Sequence, residues 1–356
     1  MKVNGKPMRP IWTEGSDVRI IDQTKLPFAL ETVTLADEAA AAHAISAMLV
    51  RGAPLIGATA AYGMALAMRE DPSDANLSAA HTRLMATRPT AVNLRWALED
   101  MSAHLAGAAP GERAETAWTR AADIADADVE INRQIGLHGL TLIQEIAARR
   151  GRVNVLTHCN AGWLATCDWG TATSPIYQAH DAGVDIHVWV DETRPRNQGG
   201  HLTAWELANH GVAHTVIVDN AGGHLMQRGE VDLCFVGTDR VAANGDVANK
   251  IGTYLKALAA ADSQVPFYVC LPSPTIDWQA GSGGDIPIEE RSAAEVTHLS
   301  VEVGGEVVQG RAVNPSSPAA NPAFDVTPAR LVTGLVTERG VIAPGELGVL
   351  FPERAA

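Results

Sequence analysis

Hydrophobic and polar positions change rhythm about a third of the way along the chain. Up to about residue 127 the apolar residues recur at helical spacing, in Ala-rich runs with few β-branched side chains. The spacing predicts a helix over Leu35–Leu49. Another is expected to begin at Pro54, whose missing N–H would be unpaired at a helix's first position anyway. Further helices are expected over Thr90–Leu105 and Glu112–Ile124, the last continuing to about Arg150 and bridging the two halves. Val18–Asp22 reads as a short strand. From Val153 onward, short apolar runs alternate with helical stretches. The strand candidates are Val153–Leu156, Ile186–Val190, His214–Val218, Val231–Val236 and Val265–Leu271. Near-continuous apolar strands in βαβ rhythm predict a parallel sheet covered on both faces. Gly304–Asn321, rich in Pro, Gly and Ser, reads as an extended arm, and Thr327–Glu338 as a final helix. The fold class is α/β: a smaller, mostly helical unit (1–127) precedes a sheet-bearing unit (128–356).

Composition narrows the function. The chain has 356 residues, 46% hydrophobic and 19% charged, enough for two domains with sizeable cores. The formal net charge of −14 argues against nucleic-acid binding, which needs Lys/Arg stripes. An anionic ligand must be caught by local basic residues. The four cysteines (Cys159, Cys167, Cys234, Cys270) form no CxxC, so zinc and thioredoxin-type readings are weak. The opening residues carry no apolar signal-peptide core, and no window approaches a membrane span. A cytoplasmic location with reduced thiols is the expectation.

Polar residues cluster just after the predicted strands: His158-Cys159-Asn160, Asp191–Arg194, Asp219-Asn220, Thr238–Arg240 and Pro272-Ser273. In open α/β sheets that edge is where ligands bind. Gly237–Gly252 (GTDRVAANGDVANKIG) is the most informative stretch. The Asn249-Lys250 pair is expected to open a helix, where a lysine opposes the macrodipole unless an anion sits between them. A solvated helix start is the bland alternative. Arg51-Gly52-Ala53-Pro54 likewise offers a guanidinium and free N–H groups at a helix start, or merely a surface arginine. Cys159 follows a strand and precedes an expected helix, which would lower its pKa. His158 points to the opposite side of the strand and reads as a satisfied core histidine. Asp239 ends a buried strand, where desolvation favours the protonated acid; a cap or an ion pair with Arg240 is the alternative. Gln198 in a Gly-rich loop suits sugar hydroxyls, and Arg95 alone reads as a solvated helix face. No G-x-G-x-x-G follows the first strand and no P-loop occurs, so dinucleotide and nucleotide-triphosphate readings are weak.

Nine runs occur in order: Ile21–Pro27, Val50–Pro54, Arg88–Arg95, Thr157–Gly162, Asp191–Pro195, Thr203–Leu207, Ala242–Gly252, Pro287–Arg291 and Asn321–Thr327. Together they resemble the S-methyl-5-thioribose-1-phosphate isomerase family, which shares a superfamily with the regulatory subunits of a translation-initiation exchange factor. The resemblance implies a helical N-terminal domain, a Rossmann-like C-terminal domain, a homodimer and no cofactor. It also implies isomerisation of 5-methylthioribose 1-phosphate to 5-methylthioribulose 1-phosphate in methionine salvage. Carried over by position, Asp239 is the proton donor and Cys159 the transition-state stabiliser. Arg51, Gly52, Ala53, Arg95, Gln198, Asn249 and Lys250 are the substrate contacts. Several residues depart from the family's pattern: Trp163, Cys167-Asp168-Trp169, Trp189, Arg196-Asn197, Asn220–Gly223 and Thr238. They adjoin the expected cleft and leave open a different C5 substituent, as in 5-deoxyribose 1-phosphate. A non-catalytic regulatory subunit is the remote alternative.

Overall fold

The N-terminal part of the chain wraps around one helix that is apolar on every side. The computed structural model, which describes residues 1–354, opens with a hairpin (β1 Lys2–Val3, β2 Lys6–Pro7). A three-stranded antiparallel sheet follows (β3 Ile11–Glu14, β4 Asp17–Ile21, β5 Thr32–Leu35). Next come helices α1 (Glu38–Ser46), α2 (Ala53–Glu70), α3 (Asp74–Thr87), α4 (Val92–Ala106) and the long α5 (Arg113–Arg150). α2 is buried without interruption from Leu55 to Met68. Such a helix needs neighbours all round, and α1, α3, α4 and α5 supply them. The apolar pattern predicts no element at α3, because only Ala80 and Leu84 of that helix are buried.

The rest of the chain builds the main sheet. Its strands are β6 (Val153–Thr157), β7 (Ile186–Asp191), β8 (His214–Ile217) and β9 (Leu233–Val236), with helices α6 (Ser174–Asp181), α7 (Ala204–His210) and α8 (Ala221–Gln227) between or after them. Then come β10 (Arg240–Ala242), β11 (Val247–Lys250), α9 (Thr253–Asp262), β12 (Phe267–Cys270) and β13 (Ile276–Asp277). A hairpin (β14 His298–Val303, β15 Glu306–Arg311), β16 (Phe324–Thr327), β17 (Gly334–Thr337) and β18 (Gly340–Ile342) complete the strands.

The seven-stranded sheet runs β18-β17-β12-β9-β6-β7-β8, parallel except at β18. The chain lays β6, β7 and β8 outward to one edge, then returns to lay β9, β12 and β17 the other way. That is the Rossmann-like order, and its change of direction falls between β6 and β9. A smaller sheet, β13-β10-β11-β16, sits beyond the carboxyl end of β9.

Two expectations fail here. Asn249 and Lys250 do not open a helix; they end β11, and α9 starts only after Gly252. Thr327–Glu338 is not a helix either. Thr327 ends β16, Pro328 follows, and all four residues of β17 are buried between β12 and β18. The expected arm at 304–321 is strand in its first part, paired with β14.

One hydrophobic cluster spans α1–α4 and α5 as far as Ala125. A second takes Ile135 and Ile143 of α5 with β6, β7 and α6. A third lies around β9, β12 and α9. Among the described residues, no helix is long and apolar enough to cross a membrane.

Candidate active site

Strands β6 and β9 flank the change of direction in the sheet, and the residues just beyond both face one cavity. Cys159 follows β6; Gly237, Thr238 and Asp239 follow β9. The same cavity is lined by Arg51–Pro54 at the start of α2, Gln198, Asn249 and Lys250 of β11, Arg88, Arg291, Met48 and Phe324. Eight of the nine residues picked from the sequence therefore meet in one place. The ninth, Arg95, does not: it lies exposed on α4 and lines a separate cleft with Trp96, Arg240 and Trp278. Arg88, from the same RPTAVNLR run, reaches the cavity instead. Pro89 disfavours helix at the residue before it, leaving Arg88 in the loop ahead of α4.

Cys159 has φ +67, a strained conformation for a residue with a side chain. Its surroundings hold it there. Its N–H donates to Thr193 Oγ1 (2.8 Å), its carbonyl accepts from Thr203 Oγ1 (2.8 Å), and its Sγ lies 3.5 Å from Gln198 Oε1. No helix begins at this point; the chain continues as a loop into a single short turn, Trp163–Ala165. The thiol is accordingly not lowered as expected. Burial pushes it up, and the charges of Arg51 and Lys250 draw it only part of the way back. Burial thus favours the thiol over the thiolate.

His158 is the satisfied histidine expected, but in a network that the sequence did not reveal. Its Nδ1 lies 2.8 Å from Asp191 Oδ2, a buried contact, and its Nε2 2.9 Å from the Ile251 carbonyl. Asp191, His158 and Asp219 could in spacing hold a metal. The Lys256 ammonium stands beside that cluster, 3.1 Å from Asp191 Oδ2 and bonded to the Asp219 main-chain carbonyl.

Asp239 is half-buried, its N–H bonded to the Ala248 carbonyl (3.1 Å). It does not pair with Arg240, which binds Asp277 (3.2 Å). Lys250 is buried: its Nζ donates to the Ala323 carbonyl (3.0 Å) and stands 4.6 Å over the Phe324 ring. Desolvation lowers its pKa, partly offset by Cys159 and Asp239. Asn249 is buried beside it and donates to Thr253 Oγ1 (3.0 Å). Desolvation likewise lowers Arg51, whose Nη2 donates to the Asn160 carbonyl (2.6 Å) and whose Nη1 donates to Asn160 Oδ1.

Behind these groups lies a residue missed at the sequence level. Glu206 of α7 is fully buried and accepts from Asn160 Nδ2 (2.8 Å), the N–H groups of Trp163 and Leu164 (3.0 Å each) and Tyr177 OH (2.9 Å). Burial pushes its pKa up to about 7, against the pull of those bonds and of Arg51. An acid inside the apolar run TAWEL was the available signal.

Gly52 caps α2 with φ +92, and no side chain caps the helix start. A Cβ at that position would lie 2.4 Å from the Ala165 carbonyl oxygen and 2.5 Å from Ala165 Cα. We expect Gly52→Ala to lose about 1–3 kcal/mol of stability from backbone strain, with further loss from displacing the Trp163–Ala165 turn. Thermal denaturation measures it; an unchanged Tm would show that the loop does not press on this glycine. Of the departures from the family pattern, only Thr238 lines the cavity. Trp163 and Cys167 are buried behind it.

The initiation factor 2 subunit family model matches residues 49–344. Methylthioribose-1-phosphate isomerase of Acidiphilium cryptum is 64% identical over 100% of this chain and 99% of that protein. The chain belongs to the methylthioribose-1-phosphate isomerase family. Among solved structures, 5-methylthioribose 1-phosphate isomerase from Pyrococcus horikoshii matches with TM-score 0.85 and 39% identity, covering 98% of this chain and 97% of that one. A structure described as translation initiation factor eIF-2B, subunit delta, from A. fulgidus matches with TM-score 0.81 and 40% identity, covering 98% and 99%. Family membership thus agrees with the Rossmann-like order and with the resemblance read from the nine runs.

Proposed function

We propose that this chain converts 5-methylthioribose 1-phosphate to 5-methylthioribulose 1-phosphate, an aldose–ketose isomerisation serving methionine salvage. The observation that carries the reading is the meeting of Cys159 and Asp239 in one cavity, from the two strands flanking the sheet's change of direction. The uncapped start of α2 and Arg51 suit the phosphate, with Arg88 beside them. Lys250, Asn249 and Gln198 suit the sugar oxygens.

The anomeric carbon carries the phosphate, so the ring cannot open by simple hemiacetal reversal. In this reading, Asp239 gives a proton to the ring oxygen as the C1–O bond breaks. The hydrogen at C2 then moves with its electron pair to the electron-deficient C1, and the C2 hydroxyl proton leaves to the Asp239 carboxylate, regenerating the acid. Cys159, beside the C1–C2 bond in this reading, stabilises the positive charge that develops there through its polarisable sulfur. No step calls for a cofactor.

Incubation with ribose 1-phosphates carrying methylthio, methyl-terminated (5-deoxy) and hydroxyl C5 groups tests the reading by ketose formation. The methylthio sugar should give the highest kcat/KM. A large preference for the 5-deoxy sugar would reassign the enzyme, and silence on every sugar would favour a regulatory binding subunit.

The proposal includes a working division at residue 127, supported by the change of hydrophobic cluster between Ala125 and Ile135 of α5. It also includes a cytoplasmic homodimer. Sedimentation should give twice the chain mass of 37.5 kDa; a monomer would remove that part.

A further inference from the structure

Cys159 and Lys250 face one cavity from two different sheets. β6, which leads to Cys159, lies between β9 and β7 in the main sheet, and β11, which carries Asn249 and Lys250, lies between β10 and β16 in the smaller one. No ladder joins β6 to β11. A side chain does. His158, immediately before Cys159, places its Nε2 2.9 Å from the carbonyl of Ile251, immediately after Lys250. The ring fits because residue 252 is glycine, with φ +102. A Cβ there would lie 2.9 Å from His158 Cε1 and 3.1 Å from its Nε2.

Asp191, at the end of β7, reaches Cys159 from both sides. Its carboxylate Oδ2 lies 2.8 Å from His158 Nδ1 and 3.1 Å from the Lys256 ammonium. Its main-chain carbonyl accepts from Thr193 Oγ1 (3.0 Å), and that same oxygen accepts the Cys159 N–H (2.8 Å). Asp191 and His158 are both buried. Their partners fix where the hydrogens lie. A carbonyl only accepts, so Nε2 donates to Ile251. The Asp191 carboxylate, facing an ammonium, accepts too, so Nδ1 donates as well. Both ring nitrogens are thereby used, and neither offers a lone pair to a metal ion.

We propose that His158 and Asp191 are positioning residues for the isomerisation, holding Cys159 in its left-handed backbone and setting its separation from Asn249 and Lys250. The inference rests on the isomerase reading above. The two bonds of the ring divide the work. The Nδ1 bond, together with Thr193, fixes Cys159 and so bears on the chemical step. The Nε2 bond fixes the end of β11 and so bears on the hold on the sugar. A buried pair that served the fold alone would show no such division.

The test measures kcat and KM on 5-methylthioribose 1-phosphate for the wild type, His158→Gln and His158→Asn, with circular dichroism as the check on folding. A glutamine amide reaches where Nε2 stands, and an asparagine amide where Nδ1 stands. His158→Gln keeps the bond to Ile251 and loses the one to Asp191; kcat should fall about 10–100-fold, the cost of a small misplacement, with KM little changed. His158→Asn keeps Asp191 and loses Ile251; KM should rise about tenfold, the scale of one hydrogen bond, with kcat less affected. NMR of the histidine ring nitrogens should show, in the wild type, one residue with hydrogen on both, absent from either variant. A bare ring nitrogen at His158 would overturn the proposal. So would the same kinetic change, or none, in both folded variants. If neither variant folds, Thr193→Ala decides: it removes the acceptor of the Cys159 N–H and should lower kcat with KM little changed, whereas a wild-type kcat would overturn the proposal. Absence of ketose from every sugar with the wild type would instead overturn the isomerase reading, and the positioning role with it.

Discussion

Cys159→Ala and Asp239→Asn should each lower kcat on 5-methylthioribose 1-phosphate by about 10²–10⁴-fold, the usual worth of a positioned acid or base. KM should change much less, because Arg51, Lys250 and the start of α2 remain to hold the substrate. Asp239→Asn keeps shape and hydrogen bonding but cannot carry a proton to the ring oxygen. Cys159→Ala removes the only polar atom of its side chain while leaving the left-handed backbone and its bonds to Thr193 and Thr203 in place. A direct ketose assay, with Tm as the control for folding, reads both. Turnover within about threefold of wild type in either variant would remove that residue from the chemistry. Equal losses in kcat and in substrate binding would instead make it a positioning group.

Glu206→Ala should be the most destabilising single change considered. It leaves the Trp163 and Leu164 N–H groups, the Tyr177 hydroxyl and the Asn160 amide without their acceptor. Each buried donor left unpaired costs about 1–3 kcal/mol, and Glu206→Ala leaves four of them at once. Asn160 also holds Arg51, so activity should fall with stability. Glu206→Gln is milder and exposes a pH effect. The Glu206 carboxyl is raised from 4.5 to about 7 in the folded chain. Below the unfolded value both states hold the proton. Between about pH 4.5 and 7 the unfolded chain releases it first, so this group's contribution to stability declines as pH rises, then levels off. Urea unfolding at pH 5 and pH 7.5 should therefore show wild type losing ground relative to Glu206→Gln at the higher pH. A difference between the two that stays constant with pH would contradict a raised Glu206.

The central strands of the main sheet, β6, β9 and β12, were legible because they are mostly buried on both faces, and such strands read as apolar runs. β17 was not. Its run, GLVT, follows TPARLVT and shows helical spacing, while its strand identity comes from the vacant edge of β12 that it fills. β11 hides for the opposite reason. Its last two residues, Asn249 and Lys250, are polar yet buried, because β16 pairs with them and Phe324 stands opposite Lys250. The site residues were readable by type and by position after strands. The choice between Arg88 and Arg95 was not, since it turns on where α4 begins. Glu206 escaped because its importance lies in four donors from distant parts of the chain.

Helix α5 runs unbroken for 38 residues through two hydrophobic clusters. It acts as a common spine, so any motion of one half of the molecule against the other has to bend this helix or pivot about it.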